Sequence, residues 1–277
     1  MAYNLVSDIM AQSHIQKLVS LLHFQDNLIV IELTQKEDKL QIIHPWLTLF
    51  SQACLRKLPE QNQCVDKITI PFKGCTFKAT KHILGKGLGS NVVMKLIAAL
   101  EDKGFFRIYA DNFFTLYHVA ESLLKRGIHY TATIRAGRFK QCTLPDEKQM
   151  KVEGHSTTAS QVHTTGKFVV VKWCDNTCVT LLSSLTDVEL KDMAKRWDRS
   201  KKEHILVPRA SIAQIYNCNM VGVDFYDMLT SLCKYHIKSR RWYLYIFGHT
   251  ITTAVVNSWL KYRENCKALS EKHVSLR

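Results

Sequence analysis

Three aspartates stand where carboxylate chemistry is possible. Asp111 follows directly on the apolar run Phe105 to Ala110, and Asp224 and Asp227 are spaced so that a helix would put both on one face. Converging carboxylates hold divalent cations, and a pair of such ions activates an attacking oxygen and stabilises a leaving one in phosphoryl chemistry. Spacing alone leaves a plainer option open for each. Asp111-Asn112 after a strand is also an ordinary turn and cap, and Asp224 and Asp227 also suit the first turn of a helix, where the dipole favours acids. A second candidate is Cys174 with Cys178, which brackets Asp175-Asn176. Structural zinc wants four ligands and no second such pair is present, so the nine cysteines are expected to be reduced thiols, mostly in the core.

Several elements must position these groups. Phe105 to Ala110 has the pattern of a buried strand, Leu116 to Lys125 of a helix and Tyr130 to Arg135 of a strand, a β-α-β run with short connections that signals an α/β sheet. Phe168 to Trp173 and Cys178 to Leu182 form a hairpin around Asp175-Asn176. Upstream, His14 to Phe24 and Leu40 to Leu58 carry helical spacing, the latter with Pro45 in its first turn. Ile68 to Phe77 is expected to be extended, and Ser90 to cap a helix through Leu100. Gly137 to Gly166 is expected to be loop or insertion, Thr186 to Lys202 a charged connector of helical type, and Ile205 to Val207 a short strand stopped by Pro208. Helices are expected again over Val223 to Lys234 and from Trp242 to about Lys261.

Thirty-eight Lys and Arg against 24 Asp and Glu give 277 residues a formal charge of +14, which suits a polyanionic partner. No apolar run approaches a membrane span and the first residues lack the pattern of a signal peptide, so an intracellular protein is expected. Basic groups gather in two places: six lysines and no acid from Lys67 to Lys95, and YHIKSRRWY at 235 to 243. A third set, Lys195, Arg196, Arg199, Lys201 and Lys202, is diluted by Asp198 and Glu203 and equally suits a solvated helix face.

Three stretches resemble piggyBac-type transposases: IYADNFFTLYHVAESLLKRGIHYTATIR at 108 to 135, VVVKWCDNTCVTLLSS at 169 to 184, and the segment with Gly-Val-Asp-x-x-Asp and the following Arg-Trp helix at 216 to 262. LLHFQDN at 21 to 27, VDKITIPFKG at 65 to 74 and GLGSNVVMKL at 87 to 96 follow that family's order. The resemblance implies an α/β fold: a partial ribonuclease-H-like transposase core with a β-hairpin insertion and a helical C-terminal segment. It implies a helical remnant over 1–64, the first part of the core over 65–136, the insertion over 137–203 and the rest of the core over 204–277. It also implies that Asp111 and Asp224, with Asp227, are ligands of Mg2+ or Mn2+, and that Lys73, Lys78, Lys81, Lys238, Arg240 and Arg241 face DNA.

One part of that pattern is missing. In the family a strand with the first catalytic Asp lies between the Phe-Lys-Gly and Gly-Leu-Gly segments, whereas here CTFKATKHILGK is all that separates Gly74 from Gly87. From Lys67 to Leu100 there is no Asp or Glu. Asp66 and Glu101 flank the gap, and recruiting either as a substitute would need a rearranged core. The portion before the LHF segment and the family's cysteine-rich zinc module are expected to be missing as well. The expected protein is therefore a nuclear, transposase-derived binder of double-stranded DNA without cut-and-paste activity, able to form a homodimer, with no membrane or small-molecule partner. The alternatives are an active metal-dependent recombinase or nuclease with a substitute carboxylate, and a protein-interaction scaffold or relic without a DNA function.

Overall fold

Short apolar runs with few helix-compatible spacings pair edge to edge, and here they build a six-stranded mixed sheet. The computed structural model describes residues 11–26, 40–68, 70, 88–98, 100, 105–135, 144–154, 156–163, 167–175, 177–185, 191–198, 202–233, 237 and 239–276. The strands are β1 (Asn62–Val65), β2 (Arg107–Ala110), β3 (His129–Thr133), β4 (Thr157–Val162), β5 (Val169–Cys174) and β6 (Cys178–Ser183), in the spatial order β1-β2-β3-β6-β5-β4. β1, β2 and β3 run parallel, and β6, β5 and β4 continue the sheet antiparallel. β2 and β3 are buried on both faces, as strands of a parallel pair covered on either side must be.

The chain forms two compact units, one of residues 59–69 and 80–232, which holds the sheet, and one of 1–58, 70–79 and 233–277. Within the first, helix α3 (Leu88–Ala98) turns Val93 and Ile97 into the core while Val92 and Leu96 stay exposed. Helix α4 (Tyr117–Lys125) links β2 to β3 and buries Val119, Ala120 and Leu123. It ends at Gly127, whose φ of 74° is the left-handed conformation that closes a helix without a Cβ penalty. The second unit contains α1 (Gln12–Leu21), α2 (His44–Leu55) after a 3-10 turn at Gln41–Ile43, and α7 (Trp242–Ala268). Phe24, Trp46, Tyr243 and Phe247 stack together there, and the Trp46 indole donates to Thr250 Oγ1 at 2.7 Å. Pro45 lies in the first turn of α2, as expected, because its missing N–H has no intrahelical acceptor to lose there.

Several expectations give way. The stretch 137–166 is not all loop: it holds α5 (Glu147–Glu153), opened by a capping box between Asp146 and Gln149, and β4. Within the connector expected over Thr186 to Lys202, the described residues 191–198 are not helical but form β7 (Lys191–Asp198), which pairs with β8 (Glu203–Ala210) as a separate two-stranded ribbon. Pro208 does not stop β8, since in a two-stranded ribbon its nitrogen can face away from the partner. The helix expected from Val223 begins twelve residues earlier, as α6 (Ser211–Leu232). Ser90 lies inside α3 rather than at its cap. Cys174 and Cys178, directly opposed across the β5–β6 hairpin, are joined by a disulfide rather than reduced. The extended segment expected at Ile68 to Phe77 falls almost entirely outside the described residues. No described helix is long and apolar enough to cross a membrane.

Two glycines make opposite demands. A Cβ on Gly89 of α3 would lie 2.5 Å from the Phe113 carbonyl oxygen and 3.1 Å from Phe114 Cα, both backbone atoms of the turn after β2. A Cβ on Gly222 of α6 would meet only Cys64 Sγ, at an ordinary 3.6 Å. Urea unfolding is therefore expected to show Gly89→Ala destabilising the protein by about 1–3 kcal/mol. Gly222→Ala should leave it unchanged or stabilise it by up to about 1 kcal/mol, because alanine suits a helix interior better.

Candidate functional site at the ends of the parallel strands

Parallel strands deliver their C-terminal ends to one side of a sheet. The register pairs Val65 of β1 with Ala110 of β2, so the next residues, Asp66 and Asp111, leave adjacent strands at the same level. A second contact agrees with this, as the Lys67 ammonium lies 5.5 Å from the centre of the Phe113 ring. Strand β1 was not expected from the sequence, and it sets Asp66 beside Asp111.

Helix α6 brings the remaining carboxylate. Gly222 packs beside Cys64, and the Cys64 thiol is hydrogen-bonded to the backbone of Val223, which places Asp224 over β1 rather than at a helix start. Burial pushes the Cys64 thiol above its ordinary value, and the Asp66 charge adds to that shift. Asp224 and Asp227 are both exposed in the body of α6, so the first-turn dipole account of them does not apply.

Tyr216, two turns before Asp224 on α6, marks where these charges meet. Burial raises its phenol, which is hydrogen-bonded to Thr133, and the negative charges of Asp111, Asp66 and Asp224 push the same way. Thr133 Oγ1 donates to Asp111 Oδ1 at 2.9 Å. Since threonine has one hydroxyl proton and spends it on Asp111, Tyr216 donates to Thr133, giving a directed chain from phenol to hydroxyl to carboxylate. The Asp111 carbonyl is also held, by Phe114 N at 3.0 Å and Thr115 Oγ1 at 3.0 Å. Tyr130, fully buried beneath, shares its hydroxyl with Thr115 at 3.3 Å, and burial raises its phenol strongly. The turn expected at Asp111-Asn112 is thus real, with Arg135 Nε donating to Asn112 Oδ1 at 2.9 Å, but the cap is not, since α4 starts after Leu116 without a side-chain cap.

Carboxylate oxygens are the right donors for Mg2+ or Mn2+. Their placement does not complete a cage: among the described residues no three His, Cys, Asp or Glu side chains are close enough together to hold a metal ion. The structure thus groups Asp66, Asp111 and Asp224 at one end of the sheet without assembling a metal centre. Sequence reasoning singled out Asp111 and Asp224 of the three, and Asp66 only as a substitute. Thr133 and Tyr216 had no signal of their own, since buried hydroxyls leave no spacing pattern. Of the basic candidates, Arg240 and Arg241 are exposed just before α7, where Arg241 donates to the Ser20 carbonyl at 3.2 Å. Lys73, Lys78, Lys81 and Lys238 lie outside the described residues.

A mixed sheet in which two of the three parallel strands lead into aspartates, crossed by a helix with another and interrupted by a hairpin insertion, has the make-up of a transposase-type α/β core. The sequence profile described as Transposase IS4 matches residues 77–259, and the chain belongs to that family, in its piggyBac branch. PiggyBac transposable element-derived protein 2 of Homo sapiens is 28% identical over 199 residues, covering 71% of this chain and 33% of the relative. PiggyBac transposable element-derived protein 3 of Homo sapiens is 22% identical over 294 aligned positions, covering 92% of this chain and 49% of that protein. A cryo-EM structure of a piggyBac transposase synaptic complex with hairpin DNA superimposes with a TM-score of 0.78 at 20% identity, covering 100% of this chain and 62% of that one. The chain therefore spans between a third and two thirds of the length of these proteins.

The hydroxyl chain makes a local prediction. Thr133→Val keeps the side-chain shape but removes the donor to Asp111 and the acceptor for Tyr216. Chemical denaturation is expected to show a loss of about 1–2 kcal/mol, and Tyr216→Phe a loss of about 1 kcal/mol.

Proposed function

We propose that this piggyBac transposase-derived chain is a nuclear protein that binds double-stranded DNA and does not carry out cut-and-paste transposition. The observation that carries the loss of activity is the acid-free interval from Lys67 to Leu100, where the family's first ligand belongs. In-line phosphoryl transfer tolerates little misplacement of its cations, and two carboxylates fix two ions poorly. Binding is supported by the formal charge of +14 and by a fold shared with a transposase bound to hairpin DNA. In this reading Arg240 and Arg241, exposed ahead of α7, contact phosphates.

A second reading is favoured by one observation, the β1–β2 register that sets Asp66 beside Asp111. Under it the chain is a divalent-metal-dependent recombinase or nuclease in which Asp66 replaces the lost carboxylate and works with Asp111 and Asp224. A bound cation would supply charge neutralisation at the phosphate.

The two readings separate in a plasmid-nicking assay with Mg2+ or Mn2+. The first expects no nicking above background, whereas nicking abolished by both Asp111→Asn and Asp66→Asn establishes the second. DNA binding is checked by titrating duplex across a salt series. The double variant Arg240→Ala/Arg241→Ala is expected to reduce the slope of log affinity against log salt by roughly two. Weak, salt-indifferent binding by the unaltered chain would instead leave a protein scaffold without a DNA function.

A further inference from the structure

The β7–β8 ribbon has two chemically different faces. Residues paired directly across the strands share a face, so Met193 and Pro208, Lys195 and Leu206, and Trp197 and His204 point one way. Asp192 and Arg209, Ala194 and Val207, and Arg196 and Ile205 point the other. Exposure follows the same division over the middle of the ribbon: Met193 is 53%, Trp197 51% and Leu206 65% exposed, whereas the second set is half-buried; at the ends Ala210, on the first face, is buried and Glu203, on the second, is exposed. The acids Asp192, Asp198 and Glu203 all belong to the second face, where Asp192 Oδ2 accepts from Arg209 Nη2 at 2.6 Å. Alternation has sorted a mixed sequence into an outward face with a lysine, a histidine, a tryptophan and no acid. The dilution of Lys195 by Asp198 and Glu203 that a helix would produce does not occur.

The inward face fixes the ribbon. Arg196 forms an ion pair with Asp175, in the turn of the β5–β6 hairpin, and both side chains are largely buried. That pairing gives Asp175 a role that its sequence motif did not disclose: it anchors the ribbon to the main sheet.

We propose that the outward face of the β7–β8 ribbon is a contact surface for duplex DNA. Eight residues per strand make a ribbon about 25 Å long, and a two-stranded ribbon fits a major groove about 12 Å wide. Lys195 supplies a phosphate contact, and Trp197, Leu206 and Met193 supply apolar contacts to base edges such as the thymine methyl. An acid-free face on a chain of charge +14 is complementary to a polyanion. The inference rests on the DNA-binding reading above and locates one of its surfaces.

Fluorescence anisotropy of the full chain with a labelled mixed-sequence duplex tests it, using Lys195→Ala and Trp197→Ala, with circular dichroism melts to confirm folding. Both side chains are exposed, so folding should persist. Lys195→Ala is expected to lower the salt slope by about one, and Trp197→Ala to weaken binding by about tenfold at fixed salt, matching the loss of a good base contact. Unchanged affinity and slope in both variants, while the unaltered chain still binds, would overturn this inference alone. So would unchanged DNA affinity with sedimentation showing that Trp197→Ala dissolves an oligomer, which would make the face a contact between copies. Failure of the unaltered chain to bind duplex would instead defeat the DNA-binding reading, and this surface with it.

Discussion

Parallel pairing of β1, β2 and β3 is the constraint from which the rest of the sheet-bearing unit follows. In an antiparallel pair adjacent strand ends point in opposite directions, so residues one step beyond Val65 and Ala110 could not both reach the same edge. With parallel strands in register they must, and Asp66 and Asp111 emerge together with the end of β3, which supplies Thr133. The sheet then reverses sense between β3 and β6. Open α/β sheets place ligands at the carboxyl ends of their strands, and α6 crosses that same end carrying Tyr216 and Asp224.

What keeps three carboxylates near one another is visible in their partners. Asp111 is held through both its side chain and its carbonyl, Asp66 accepts from the Lys67 amide at 2.7 Å, and Asp224 is exposed. Solvation of one and hydrogen bonding of the others limit the repulsion that a dry, unpaired cluster would suffer. Tyr216 contributes a neutral hydroxyl where a charged partner would otherwise be needed, and the charges around it favour that neutral form. The arrangement is therefore compatible with a stable fold whether or not an ion is ever bound.

Much of this core is legible in the sequence, and the illegible parts have physical reasons. β2, α4, β3 and the β5–β6 hairpin carry strong local signals: apolar runs, a clean helical stripe and a turn pair. β1 is four residues, half of them polar, and its identity as a strand comes from pairing with β2, a partner more than forty residues away. α6 begins in a stretch rich in Asn, Ile, Val and Gly, poor helix formers whose low propensity is overridden by packing against β1. For β7, Met193 and Trp197 are four apart and satisfy a helical spacing as well as a strand's alternation, so periodicity could not decide. The placement of Asp66 beside Asp111 depends on β1, the element that local sequence signals do not supply.

The same dependence on pairing governs the ribbon. Taken along the chain, Lys191 to Asp198 is a mixture of signs, and its net charge says little about a partner. Taken across the ribbon, alternation and register turn every acid to one face, where Arg209 meets Asp192 and Arg196 meets Asp175. The Arg196 and Asp175 side chains are only 26% and 17% exposed, so removing one partner would strand a charge in a poorly solvated place. That cost makes the orientation of the ribbon a property of the β5–β6 hairpin. A residue pair that looks like a simple turn motif thereby decides which side of a neighbouring element faces outward.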